Sequence, residues 1–94
     1  MSVIDDQSRP SLARGVRLRT DSAAQEPVLL FPEGAIHLSQ TAYDILVRCG
    51  GELTTQSIIE SLAVDYDADP HVLRDDVLNW LAELHERKLV VFSK

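Results

Sequence analysis

The sequence predicts an α+β fold in which a three-stranded antiparallel sheet is followed by three α-helices. Two observations carry this: apolar residues recur with period two up to Leu38, then with the period of a helix from Ser39 onward. The length agrees, since 94 residues suit one small domain and leave little room for a deep cleft between lobes. At 45% hydrophobic and 26% charged residues, the balance is that of an ordered chain.

Residues 1–14 show no sustained period, and Pro10 and Gly15 interrupt any helix, so they read as a flexible N-terminal arm, leaving 15–92 as a single recognition domain. Val16 and Leu18 alternate with Arg17 and Arg19, the pattern of a half-buried strand with both arginines in solvent. Thr20 to Glu26 is polar and reads as a loop. Val28-Leu29-Leu30-Phe31 is an unbroken apolar run, a second strand covered on both faces. Phe31-Pro32-Glu33-Gly34 has proline and glycine at the second and fourth places of a type I turn, and Ala35 to Leu38 returns as a third strand.

Ser39 is a good N-cap for a short helix whose apolar face is Ala42, Ile45, Leu46 and Cys49. Gly50-Gly51 supplies a left-handed stop. Thr54 or Thr55 caps a second helix with Ile58, Ile59, Leu62 and Ala63 inward. Asp69-Pro70 opens the third and longest, a cap followed by proline where its missing N–H costs nothing. Leu73, Val77, Trp80, Leu81 and Leu84 make one stripe along it, and Arg87 and Lys88 suit the negative end of its dipole. Leu89 to Phe92 is a short apolar tail pinned to the core. Together these elements outline a winged helix-turn-helix domain, an architecture that does not itself fix a function.

Charge and motif narrow the functions. Residues 1–20 carry four arginines against Asp5 and Asp6, a local +2, and the rest of the chain carries −8, for a net −6. An acidic body repels phosphate backbones, and the second helix contains no basic residue, so a nucleic-acid partner is not expected. No apolar run is long enough to span a bilayer, the N-terminus lacks a secretory core, and the lone Cys49 suits a reducing compartment, so a cytoplasmic location is expected. Asp65, Asp67 and Asp69 open like a calcium loop, but Pro70 and Asp76 stand where such a loop needs glycine and glutamate. His37, His71 and His85 have no zinc spacing, and neither a glycine-rich phosphate loop nor a nucleophile–base pair is present. No metal, no cofactor and no catalysis are expected.

What remains is recognition of a peptide. The third strand can lie at a sheet edge and offer unpaired N–H and C=O groups to an extended chain, with the long helix as facing wall. The expected contacts are Ile36, His37 and Leu38 from the strand, and Leu73, Asp76, Val77 and Trp80 from the helix. Asp76 and Arg87 border that flank. Leu38→Pro is expected to weaken peptide binding, provided the Leu38 N–H faces the peptide, and so tests that strand. Arg17 and Arg19 are candidates for docking a partner. A winged-helix DNA-binding regulator and a structural subunit of an enzyme complex stay as alternatives.

The residues Arg14-Gly15-Val16-Arg17-Leu18-Arg19-x-Asp21, then Pro32-Glu33-Gly34 with Leu38-Ser39-x-Thr41-Ala42-x-x-Ile45-Leu46, resemble the PqqD family. So do Cys49-Gly50-Gly51, Thr54, Ile58, Leu62, Tyr66 and Asp76-Val77-x-x-Trp80-Leu81-x-x-Leu84, in the same order, so that the likeness spans residues 9 to 92. Gly50 and Ser39 replace the aspartate and asparagine usual in the family and keep the turn and cap chemistry. The resemblance implies a non-catalytic peptide chaperone of pyrroloquinoline quinone (PQQ) biosynthesis, a recognition element for ribosomally made, modified peptides (RiPPs). It also implies that the PQQ precursor peptide is held as an added strand and presented to a radical-SAM enzyme that cross-links a Glu and a Tyr. A recognition element for a different modified peptide stays open, as does the choice between monomer and homodimer.

Overall fold

In a computed structural model, residues 5–21 and 26–93 are described. The elements are β1 (Arg9–Leu12), β2 (Arg17–Asp21), β3 (Glu26–Phe31), β4 (Gly34–His37), α1 (Gln40–Val47), α2 (Thr55–Tyr66), α3 (Pro70–Glu86) and β5 (Val90–Ser93). The expected meander is present as an antiparallel sheet in the order β2-β3-β4. Phe31 pairs with Gly34, so Pro32 and Glu33 form a two-residue turn. The three helices follow, each started by the cap its sequence offers. The Ser39 side chain accepts from the Ala42 N–H, Thr54 from Ser57 and Asp69 from His71. Each cap satisfies an orphan donor of a first turn.

The core lies between the sheet and the helices. Leu29 of the central strand, Ile58 of α2, and Leu81 and Leu84 of α3 are fully enclosed, with Ile45 and Leu46 of α1 beside them. The stripe read along α3 therefore faces the core at Leu73, Val77, Leu81 and Leu84. An apolar side chain buried to this degree contributes about 1.5–3 kcal/mol.

The N-terminal region departs most from the sequence reading. Arg9–Leu12 is no arm but a strand, paired antiparallel with β5 from Arg9↔Ser93 to Leu12↔Val90. The tail after α3 is thus half of a second, two-stranded sheet. The segment before β1 closes the start of α2. The Ser8 carbonyl accepts from both the Thr55 N–H (2.8 Å) and its hydroxyl (3.0 Å), and the Asp6 carbonyl accepts from the Gln56 N–H (3.1 Å). Pro10 is tolerated in β1 because its carbonyl points to the Gly51 N–H (3.0 Å), away from β5. Its missing N–H lies on that same side, so the β1–β5 ladder loses nothing.

Three smaller boundaries also move. Thr20, Asp21 and Glu26 belong to strands rather than a loop, and the rest of that expected loop lies outside the described residues. α1 stops at Val47 with Arg48 as its C-cap, and the left-handed residue is Gly51 in the following loop (φ 87°). Arg87 caps α3 and Lys88 turns left-handed beyond it (φ 64°), so both lie past the last helical turn.

Candidate functional site

Among the described residues β4 pairs only with β3, which leaves its other side as an edge of the sheet. The ladder parity settles which groups are open. The Leu38 N–H donates to the Pro27 carbonyl at 2.9 Å, so it faces inward. Hydrogen-bonded pairs alternate along an antiparallel ladder, so Ile36 also bonds to β3, while the N–H and C=O of Ala35 and His37 point outward. The expectation for Leu38 is corrected by that bond: proline there removes a sheet contact rather than a ligand contact. Pairing of Phe31 with Gly34 across a two-residue turn already dictates this parity.

Beside the open edge lies a groove of about 560 Å³. β4 lines it with Ile36 and His37, the strand-to-helix junction with Leu38 and Ser39, α1 with Thr41, Ala42 and Ile45, and α3 with Asp76 and Trp80. Five of the seven expected contacts thus meet in one place. Leu73 and Val77 do not line it, because they point into the core, Val77 almost completely. Asp76 and Trp80 are four residues apart, about 40° around the helix, on the flank next to that stripe. The α1 contribution was not anticipated. Its signal was the Ser39 cap directly after the strand, which sets the first turn of α1 at the end of β4.

The floor is apolar and its polar groups are few. Asp76 is the one acidic side chain in the lining. His37 is exposed and its Nδ1 lies 3.6 Å from Glu26 on the neighbouring strand. The Ser39 hydroxyl is engaged by the Ala42 N–H (3.1 Å). The indole of Trp80 packs against the core, yet its Nε1 is closed from solvent and meets no acceptor among the described residues. Arg87 lies away from the groove, its guanidinium 5.9 Å from the centre of the Phe31 ring. Arg17 and Arg19 are exposed on β2, the opposite edge of the sheet from β4.

No cluster of three His, Cys, Asp or Glu side chains able to hold a metal occurs among the described residues. Cys49 is buried, its Sγ donates to the Ile45 carbonyl (3.3 Å), and burial pushes its thiol up to about 12. A thiol so held is no nucleophile near neutral pH. No described helix is long and apolar enough to cross a membrane. An open backbone edge beside an apolar groove can add an extended chain by strand pairing and seat its alternate side chains.

Comparison with known proteins agrees over nearly the whole chain. The family model "Coenzyme PQQ synthesis protein D (PqqD)" matches residues 26–90. A "PqqA binding protein" of Xanthomonas campestris pv. campestris is 36% identical over 90 residues, covering 96% of this chain and 98% of that one. The "Bifunctional coenzyme PQQ synthesis protein C/D" of Methylorubrum extorquens is 38% identical over 81 residues, which are 86% of this chain but 22% of that longer protein. Among solved structures, the solution structure of the PqqD truncation of Methylobacterium extorquens PqqCD, described as a functional, stand-alone RiPP recognition element, superposes with a TM-score of 0.82 at 34% identity, over 96% of each chain. The crystal structure of PqqD from Xanthomonas campestris gives 0.58 at 34% identity, over 93% of this chain and 97% of that one.

Proposed function

Because this chain belongs to the PqqD family, we propose that it is a non-catalytic chaperone that binds the PqqA precursor peptide as a strand added to β4. One observation carries the placement: the outward N–H and C=O groups of Ala35 and His37 border an apolar groove that α3 walls on its far side. Strand pairing supplies affinity that is independent of sequence, and the pockets under alternate side chains supply selectivity. Ile36, His37, Leu38, Asp76 and Trp80 are the peptide contacts, joined by Ala42 and Ile45. Each backbone hydrogen bond adds about 0.5–1.5 kcal/mol net. Ordering a flexible precursor costs roughly 2–5 kcal/mol, so the apolar floor is needed for micromolar or tighter binding.

The chaperone presents the peptide to the radical-SAM enzyme that cross-links a Glu and a Tyr, in the cytoplasm and without a cofactor of its own. Arg17 and Arg19, on the edge opposite the groove, form the docking face for that enzyme, where they do not compete with the peptide.

The test is an NMR titration of labelled protein with synthetic PqqA peptide at moderate salt. Shifts are expected at Ala35 to Leu38, Thr41 to Ile45, Asp76 and Trp80. Shifts confined to other surfaces would overturn the groove assignment. Silence with PqqA but response to another precursor would make the chain a recognition element for a different modified peptide. In the same samples, Arg17→Glu/Arg19→Glu should leave these shifts intact and abolish the additional shifts caused by the radical-SAM enzyme. Enzyme-induced shifts that persist would remove the arginines from the docking face.

A further inference from the structure

A strand added to β4 has two rows of backbone groups, and only one row meets β4. The other row faces α3 across a groove whose floor is apolar, where an unpaired N–H or C=O is unfavourable. On this wall α3 offers one donor and one acceptor, the Trp80 Nε1–H and the Asp76 carboxylate. Their spacing suits the task. Residues i and i+4 lie about 6 Å apart along a helix axis. That is within the roughly 6.6–6.8 Å over which one edge of a strand presents a full set of one N–H and one C=O. The Trp80 N–H is also an orphan: it is enclosed and has no acceptor among the described residues.

We propose that the Trp80 indole N–H is a specificity-determining donor, which turns on peptide entry to meet a backbone carbonyl on the strand edge facing away from β4, while Asp76 accepts from an N–H on that same edge. The inference rests on the strand-addition reading above. It gives the α3 wall a role beyond packing: both edges of the guest strand are satisfied, one by β4 and the other by side chains. A guest that places proline at the Asp76 position, or turns its carbonyls out of register with Trp80, is discriminated against.

The chain holds a single tryptophan, so its one indole ¹H–¹⁵N peak reports on this group alone. In a titration with synthetic PqqA peptide, that peak should move downfield and its hydrogen exchange should slow about tenfold or more, together with shifts of the Ala35 and His37 amides. Replacement of Trp80 by 3-benzothienylalanine keeps the ring shape and removes the N–H, and should weaken binding about three- to tenfold. Trp80→Phe should lose at least as much. A stationary indole peak beside shifting β4 amides overturns the proposal and leaves strand addition standing, and so does full affinity in the benzothienylalanine protein. Silent β4 amides overturn both.

Discussion

Two clefts flank α3, and they differ in what closes them. On the β4 side, the groove of Asp76 and Trp80 is bordered by a strand edge with outward backbone groups and an unpaired indole N–H. On the α2 side, a depression of about 350 Å³ between Gln56, Ile59, Glu60, Pro70, His71 and Arg74 is fastened by the chain itself. There Arg74 pairs with Asp6 and donates to Gln56 (3.3 Å), and the Asp6 and Ser8 carbonyls accept the first N–H groups of α2. The Asp6 carboxylate holds the Arg74 guanidinium more firmly protonated than usual. The contrast separates scaffold from site. On one flank the N-terminal segment satisfies the helix, and on the other the sheet edge keeps groups that the proposed guest strand would pair.

Closing the open edge should abolish most of the peptide affinity. His37→Pro removes an N–H that faces away from β3, so the sheet itself loses no hydrogen bond. A guest strand would lose one bond and be left with an unpaired carbonyl, about 3 kcal/mol together, or a hundredfold in Kd. Thr20→Pro is the matched control on the opposite edge. Its pairing with Pro27 marks it as a non-hydrogen-bonded position, so its N–H also faces outward. Calorimetry should show the loss for His37→Pro and affinity within about twofold of the parent for Thr20→Pro. Equal losses at both edges would mean that β4 is not the receiving strand.

How much of this contrast could be read in the sequence follows from the range of the interactions. Ser39, Thr54 and Asp69-Pro70 announce their helices because a cap acts within three residues, and the Pro32-Glu33 turn announces its hairpin for the same reason. The β1–β5 pairing joins Arg9 to Ser93, and no local pattern encodes a partner so far away. Pro10 even argues against a strand until its carbonyl is seen to face Gly51. On the open side, Ile36, His37, Leu38, Asp76 and Trp80 were legible from edge-and-wall reasoning. Ala42 and Ile45 were not, since an apolar helix face reads as core whether or not a groove runs along it. Leu73 and Val77 line the core instead for the converse reason: Trp80 is only about 20° around α3 from Leu73 and about 60° from Val77, finer than a stripe can resolve.

The packed side of the molecule should weaken in alkali. Cys49 is buried just beyond the end of α1, and desolvation raises its thiol from 9.0 to about 12. The unfolded chain therefore loses this proton first. The contribution is fully present below pH 9, declines by about 1.4 kcal/mol per pH unit between 9 and 12, and is exhausted above. Tyr66, whose hydroxyl donates to Asp44, is also raised, so its contribution likewise fades above its ordinary range. Subtracting a Cys49→Ala series isolates the thiol. Denaturant melts of the two proteins should diverge in slope between pH 9 and 12 and run parallel below. Parallel curves throughout would mean that the thiol reaches solvent in the native state.

The smallest expected effect tests whether the two sides of α3 are independent. Thr55 is fully buried, and its hydroxyl and N–H converge on the same Ser8 carbonyl. Thr55→Val keeps the shape of the side chain and leaves that carbonyl one donor instead of two. The cost is therefore about 1 kcal/mol rather than that of an orphaned group. In a domain of this size it lowers Tm by about 4–8 °C. Hydrogen exchange should quicken at Thr55 and Gln56, whose amides the N-terminal segment holds, and remain unchanged at Ile36 and Leu38, which bond to β3. Peptide affinity should match the parent within error, because the groove shares no residue with this clasp. If affinity falls in step with stability, α3 transmits strain from one flank to the other. The N-terminal segment would then belong to the binding mechanism, and the division between a scaffold side and a binding side would fail.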